Sequence, residues 1–426
     1  MHDLKWILDN LDEATTRLKK RHPDLDFSHV TSLNEARRAA ANAHNDRRAE
    51  QNRLSKEFGA AKGLSLDEQT ARREALRLMS DEVKQLEVRI KACEDELEAA
   101  LMLIPNIPQD VVPEGRSEAD NVVAKVVGAP FEHPFGGLEH DALGDRLGLL
   151  DFDAAARISG AGFAVYRGLG ARLERALAAF MLDTHVDAHG YEEVLTPFVV
   201  LRDCMVGTGQ LPKFEDDAYQ TSPDGLFLIP TAEVPVTNLY RGLMLEAADL
   251  PKRNVAFSPC FRREAGSHGR EVRGLTRTHQ FQKVELVQLV HPDHSVAAHE
   301  ALTRHAETIL EKLGLVYRRV DLCGGDLGFG ASRCFDLEVW LPVQKRWREI
   351  SSCSNFLDFQ ARRANIRFRP GPGEKPRFVH TLNGSGLAIG RTVMAILEHW
   401  QTAEGDVVVP EVLRPYMRVD RLSRPS

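Results

Sequence analysis

Residues able to do chemistry concentrate in one stretch, Phe257 to Glu285, which reads FSPCFRREAGSHGREVRGLTRTHQFQKVE. Strand-like segments from Val255 to Phe261 and from Thr278 to Leu289 flank a Gly- and Arg-rich excursion, the pattern of a long hairpin with a basic loop. Arg262 and Glu264 on one arm, and His279, Phe281 and Glu285 on the other, alternate so that each arm presents a polar face. Such a face reads as a binding site. Taken singly, each residue also has a structural reading: an arginine in a salt bridge, a phenylalanine in the core, Glu285 as the buried partner of Lys283 or an arginine.

The stretch FRREAGSHGREVRGLTRTHQFQKVE resembles motif 2 of the class II aminoacyl-tRNA synthetases, in the form of the bacterial-type seryl-tRNA synthetase family, and NGSGLAIGR (Asn383 to Arg391) resembles motif 3. IPTAEVPVTN, GTGQLPKF and REISSCSNFLDFQARRANIRFR match that family in order and spacing, so the resemblance covers nearly the whole chain. It implies ATP-dependent activation of L-serine to seryl-adenylate, then transfer to tRNA(Ser) and, where that tRNA exists, tRNA(Sec). Activation sets a carboxylate against the α-phosphate without a protein nucleophile, so the enzyme must position two anions and stabilise charge building up at phosphorus. Arginine suits this task because its planar fork meets phosphate or carboxylate oxygens through two hydrogen bonds.

The resemblance implies a catalytic set of Arg262 on the α-phosphate, Arg391 on the γ-phosphate, and Glu349. Arg263, Glu264, Phe281, Ile350, Ser351 and Ser352 join them around ATP, Glu264 accepting from the adenine amino group and Phe281 offering a face on which the base stacks. Glu349 and Ser352 supply the hard oxygens that Mg²⁺ prefers, although a strand puts them on opposite faces unless it bulges or ends there. Candidates for the serine pocket are Thr231, Ala232 and Glu233, with Glu285, Asn383 and Ser385. Groups that hydrogen-bond the substrate hydroxyl reject analogues lacking it far better than an apolar pocket rejects a methylene. Arg263, His268, Arg270, Arg273 and Arg277 of the basic loop are implied to meet the acceptor end of tRNA; His279 receives no catalytic role. Two segments depart from the family pattern: Ser159-Gly160-Ala161-Gly162-Phe163 lacks an arginine, and ASRCFDLE (Ala331 to Glu338) replaces the commoner AAKTYDIE. Neither lies in the motifs assigned to ATP or serine.

These residues must be held by something. The expected fold class is α+β: a class II synthetase catalytic domain with a mainly antiparallel sheet flanked by helices, plus an N-terminal antiparallel coiled-coil arm. Residues 1–104 read as the tRNA-binding domain, 105–120 (three prolines in IPNIPQDVVPEG) as a linker, and 121–426 as the catalytic domain. In the arm, a helix from about Leu33 to Phe58 offers Leu33, Ala36, Ala40, Ala43 and Leu54. A second, from about Glu68 to Leu103, offers Leu76, Met79, Val83, Leu86, Ile90, Cys93, Leu97 and Ala100 at strict 3-4 spacing. Arg37, Arg47, Arg48, Arg53, Lys56, Arg77, Lys84 and Lys91 decorate it, each singly more at home as a solubilising charge than as an RNA contact. The helix Gly170 to Leu195 and the strand ending at Pro197 resemble motif 1, which implies a homodimer.

Composition sets the bounds. At 426 residues, 43% hydrophobic and 27% charged, the chain has the makeup of a soluble globular protein of two or three domains. Six scattered cysteines suggest neither a disulfide framework nor a zinc site, and neither a leader nor a bilayer-length apolar run is present, so a cytoplasmic location is expected. The net charge of −7 leaves RNA binding to local basic patches. There is no GxxxxGK[ST] loop and no GxGxxG after a strand, which argues against a Rossmann-like nucleotide site.

Overall fold

The computed structural model describes residues 1–265 and 273–424, so His268 and Arg270 lie outside the described residues. It divides into two compact units, Met1–Lys19 with Asp24–Pro105, and Lys20–Pro23 with Asn106–Ser426.

The first unit holds two short helices, Leu4–Asp9 and Leu11–Leu18, and two long ones, Ser28–Ala60 and Leu66–Leu103, that pack together as a coiled-coil arm. At 1.5 Å per residue the long pair runs about 50 and about 57 Å. The second begins at Leu66, earlier than expected, because Ser65 and Glu68 form a reciprocal cap: Glu68 N–H donates to Ser65 Oγ and Ser65 N–H to the Glu68 carboxylate. The first begins at Ser28, where Asp26 accepts from the Ser28 N–H at 2.9 Å. All eight expected positions of the second helix are buried or half-buried. The first helix differs from expectation, since Ala43 is exposed and His44 and Arg47 turn inward. His44 Nε2 lies 3.3 Å from Glu87 and Arg47 Nε 2.6 Å from Glu82 on the partner helix. Part of the thin alanine seam is therefore replaced by cross-helix polar contacts, the His44–Glu87 hydrogen bond and the Arg47–Glu82 ion pair.

The second unit is built on an eight-stranded sheet. Its spatial order is Val122–Val127, Tyr317–Asp321, Arg333–Leu341, Arg346–Leu357, His380–Ala388, Gln280–Val290, Lys252–Phe261, Glu192–Glu193. Only the Glu192–Glu193 pairing is parallel. The central strand Gln280–Val290 shows how the two faces part. Val284, Leu286 and Val290 join a core covered by the helices Leu169–Asp187, Ser295–Lys312 and Ile389–His399. The alternate residues Phe281, Lys283 and Glu285 face the other side, followed by Val287 and Leu289, which pack against Ala232, Val236, Ala361, Ile366 and Phe368. Apolar side chains close one half of that second face; the other half is polar and open. After the helix Leu169–Asp187 the segment leading to Pro197 pairs over only two residues, and Leu195 is 84% and Leu201 60% exposed. Among the described residues no helix is long and apolar enough to cross a membrane.

Candidate active site

The open half of the sheet face forms a cavity of about 640 Å³. Its floor comes from strands whose alternation sends every second side chain upward: Phe281, Lys283 and Glu285 from one, Asn383 and Ser385 from the next, Glu349, Ser352 and Ser354 from the third. Glu285 and Ser385 are direct cross-strand partners, and Ser351 Oγ donates to the Ser385 carbonyl at 2.6 Å, tying the second strand to the third.

The hairpin closes one side. Arg262 N–H donates to the His279 carbonyl at 2.9 Å, and His279 Nδ1 lies 3.0 Å from the Arg262 carbonyl, so the imidazole locks the two limbs together where the strands end. His279 N–H donates to the Gly162 carbonyl at 2.8 Å. Just beyond, Glu264 holds a left-handed backbone at φ 53°, a conformation that costs a non-glycine residue roughly 1–3 kcal/mol and is retained where geometry demands it. Its carboxylate accepts from Arg277 of the returning limb. The Arg262 guanidinium sits 5.1 Å over the Phe281 ring, and its Nε donates to the Pro230 carbonyl at 3.4 Å.

Glu349 and Ser352 owe their common face to a bulge. Leu337 pairs with Ser351 but Glu338 pairs with Glu349, so Ile350 is an extra residue in the strand and the alternation resets across it. Both side chains reach the cavity. Arg391, at the start of the helix Ile389–His399, lies across from them, with Nη1 2.8 Å from the Glu349 carbonyl and 3.3 Å from its carboxylate. Burial pushes the Glu349 carboxyl upward, but the cations Arg391, Arg262 and Lys283 outweigh it and hold it below the ordinary carboxylate value. Arg262 and Arg391, 129 positions apart in the chain, thus act on one carboxylate.

The deep end has the opposite character. Lys283 Nζ lies 2.5 Å from Glu285, both nearly fully buried. Glu233, 7% exposed, accepts from Gln360 Nε2 at 2.6 Å. Burial, and then the charge of Glu285, push its carboxyl up to about 7, against the pull of Gln360, Lys283 and Arg262. The cavity therefore has cations at one end, suited to a polyphosphate, and at the other carboxylates with Thr231, Asn383 and Ser385, suited to an ammonium and a hydroxyl.

Residues 1–108 match the family described as the seryl-tRNA synthetase N-terminal domain, and residues 213–400 the class II tRNA synthetase core domain of the G, H, P, S and T enzymes. The chain is 50% identical over 418 residues to a serine–tRNA ligase of Geobacter sulfurreducens, covering 98% of each chain. To that of Geobacillus kaustophilus it is 51% identical at the same coverage. The chain belongs to the serine–tRNA ligase family. Among solved structures, the seryl-tRNA synthetase of Pyrococcus horikoshii complexed with ATP superposes with a TM-score of 0.94 at 34% identity, covering 100% of both chains. The cytoplasmic serine–tRNA ligase of Naegleria fowleri in complex with AMP gives 0.87 at 28% identity, over 100% of this chain and 99% of that one.

Of the residues expected from this serine–tRNA ligase family, Arg262, Glu264, Phe281, Glu349, Ile350, Ser352, Arg391, Thr231, Glu233, Glu285, Asn383 and Ser385 line the cavity together. Arg263, Ala232 and Ser351 do not. Arg263 is exposed and its N–H donates to the Asp217 carbonyl, Ala232 is fully buried within the TAE loop, and the Ser351 hydroxyl is taken up by the Ser385 carbonyl. Arg273 and Arg277, expected to face tRNA, are both ion-paired within the unit, the first with Glu139 and Asp141, the second with Glu264. The two departures from the family pattern touch the site after all. Gly162 supports His279, Ala331 lines the cavity, and Cys334 Sγ lies 3.0 Å from Ser352 Oγ.

Sequence reasoning missed Lys283, whose period-two spacing with Phe281 and Glu285 was the available signal. It missed Asp336, cross-strand partner of Ser352, whose carboxyl is pushed well above its ordinary value by burial and then by the charge of Glu349. The loop residues Thr208 to Gln210 and Phe329 to Ala331 complete the wall and carry no periodic signal.

A divalent cation fits the donor chemistry here. Among the described residues no three His, Cys, Asp or Glu side chains are grouped to hold a metal. Mg²⁺ bound to nucleotide needs only one or two protein oxygens, and the ionised Glu349 and the Ser352 hydroxyl share one face of the cavity.

Proposed function

We infer that this chain is a serine–tRNA ligase that activates L-serine with ATP and transfers it to tRNA(Ser). The observation that carries this reading is the convergence of Arg262 and Arg391 beside Glu349 in one cavity, whose other end holds the buried carboxylates Glu233 and Glu285. A serine carboxylate oxygen attacks the α-phosphorus, the bond to the β-phosphate breaks, and pyrophosphate leaves. Arg262 holds the α-phosphate and Arg391 the γ-phosphate, their forks placed for charge that grows as the bond order shifts. Phe281 stacks on adenine and Glu264 accepts from its amino group. Glu233 and Glu285 hold the serine ammonium and hydroxyl with Thr231, Asn383 and Ser385. A terminal ribose hydroxyl of tRNA then attacks the acyl carbon, AMP leaves, and the ester forms. Mg²⁺ held by Glu349 and Ser352 would supply charge neutralisation at the phosphates.

The same reading makes the Ser28–Ala60 and Leu66–Leu103 arm the grip on tRNA, extends to tRNA(Sec) in cells that have it, and places the enzyme in the cytoplasm as a homodimer. The exposed Leu195 and Leu201 beside the motif 1 segment support the dimer. Serine-dependent exchange of labelled pyrophosphate into ATP tests activation, and transfer of labelled serine to tRNA tests the second step. Exchange without transfer would point to a carrier-protein ligase; neither reaction, from folded protein, would leave a tRNA-binding scaffold.

A further inference from the structure

We propose that His140 is a positioning residue for the limb of the hairpin that returns into the nucleotide end of the cavity. His140 is 1% exposed. The Leu275 N–H donates to its Nε2 at 3.0 Å. A backbone N–H can only donate, so Nε2 is the bare nitrogen and Nδ1 carries the proton, which it gives to Glu398 Oε1 at 3.3 Å. Glu398 is 0% exposed, and the same oxygen accepts from the His140 N–H at 3.4 Å and from Gln344 Nε2 at 2.6 Å. The imidazole is thereby fixed in tautomer and in plane by a carboxylate at the core, and it presents one acceptor to one amide of the hairpin.

Neighbours on both segments reinforce the contact. Arg273 Nε donates to Asp141 at 2.6 Å and its Nη1 lies 3.1 Å from Glu139, so residues 139–141 hold residues 273–275 as a unit. Gly274 between them has φ +62°, and a Cβ there would lie 2.2 Å from His140 Nε2, so the chain can pass the ring only without a side chain. Immediately after the anchored amide, Leu275, Thr276, Arg277 and Thr278 enter the cavity wall, and Arg277 meets Glu264 of the opposite limb. His140 itself is not in that wall. Its effect reaches ATP only through the register of the returning limb.

The inference rests on the function proposed above, and two variants separate it from that function and from mere stability. Gln places an amide oxygen close to where Nε2 stands, so His140→Gln keeps an acceptor for Leu275 while loosening Glu398. Asn places its amide near Nδ1, so His140→Asn keeps a donor for Glu398 and loses Leu275. In pyrophosphate exchange by the full chain, H140N is expected to raise KM for ATP roughly two- to tenfold, the loss of one hydrogen bond, with KM for serine unchanged. H140Q should stay within about twofold of the parent chain for both substrates. Equal impairment of the two variants, or an H140N enzyme with an unchanged KM for ATP, overturns the proposal. Exchange by the unsubstituted chain tests the function separately.

Discussion

Glu233 offers a prediction whose size follows from its surroundings. Its carboxyl, ordinarily at 4.5, is pushed up to about 7 by burial and by the charge of Glu285. Between these values the unfolded chain has released the proton while the folded chain keeps it, so the unfolded state binds fewer protons and folding stability falls as pH rises. At about 1.4 kcal/mol per pH unit, the accumulated loss above pH 7 is about 3 kcal/mol. Glu233→Gln removes the titration while retaining an oxygen to accept from Gln360 Nε2, which now bonds Glu233 at 2.6 Å. The variant should therefore be more stable than the parent by about 3 kcal/mol at pH 8, with the difference shrinking through pH 6 and vanishing near pH 4.5. Paired urea titrations at several pH values, followed by tryptophan fluorescence, measure that difference directly. In pyrophosphate exchange the same variant should lose affinity for serine, because the amide cannot supply the anionic acceptor for the ammonium. A stability difference that stays constant with pH, or that favours the parent at pH 8, would refute the reasoning. The coupling to Glu285 gives a further check: Glu285→Gln removes one of the two upward pushes, so the pH range over which Glu233 destabilises the fold should move down.

Further consequences can be measured independently. Arg262→Lys and Arg391→Lys each keep the charge and lose the two-pronged fork, and each should slow pyrophosphate exchange roughly a hundredfold with little change in stability; wild-type exchange in either would remove that residue from the phosphate site. Gly162→Arg puts in the arginine whose absence marks the departure from the family pattern, yet here φ is +80° and a Cβ would stand 2.5 Å from His279 Cδ2. It should destabilise the chain by roughly 1–3 kcal/mol in thermal unfolding, and an unchanged melting temperature would show that the backbone re-forms locally. On the arm, Arg37 and Arg47 are ion-paired across the helices, whereas Arg48 and Lys84 have no ion pair among the described residues. Reversing Arg48 and Lys84 to Glu should weaken tRNA charging at physiological salt by tenfold or so and leave exchange unchanged, while equal losses in both assays would contradict a role confined to tRNA.

What could be read from the sequence follows a physical line. Period-two and period-3.6 patterns report which side of an element is buried, so the second arm helix and the strand carrying Phe281 and Glu285 were legible from residue types alone. Pairing between elements is reported by nothing local. The inward turn of Arg47 in place of Ala43 depends on Glu82 lying opposite in the other helix, and the place of Asp336 beside Ser352 depends on two strands meeting in one register. Helix starts moved by two to five residues for the same kind of reason on a shorter scale, since Ser65 and Asp26 satisfy N–H groups that no hydropathy pattern records.

The Glu349–Ser352 pair shows where the boundary lies. Sequence reasoning could state the condition, that a regular strand sends residues three apart to opposite faces, but could not say whether the strand was regular. The register shift at Ile350 meets the condition. A bulge costs a ladder hydrogen bond and is tolerated where it redirects a side chain, and here the redirected side chain is the carboxylate that Arg262, Lys283 and Arg391 keep ionised. Deleting Ile350 would remove the extra residue and leave Glu349 and Ser352 two positions apart on one face of a regular strand, so the carboxylate should stay beside those three cations. ATP binding should then survive the deletion, and its loss would show that the shared face depends on the bulge itself, whereas Glu349→Gln, which leaves the bulge in place, should weaken ATP binding with little change in stability.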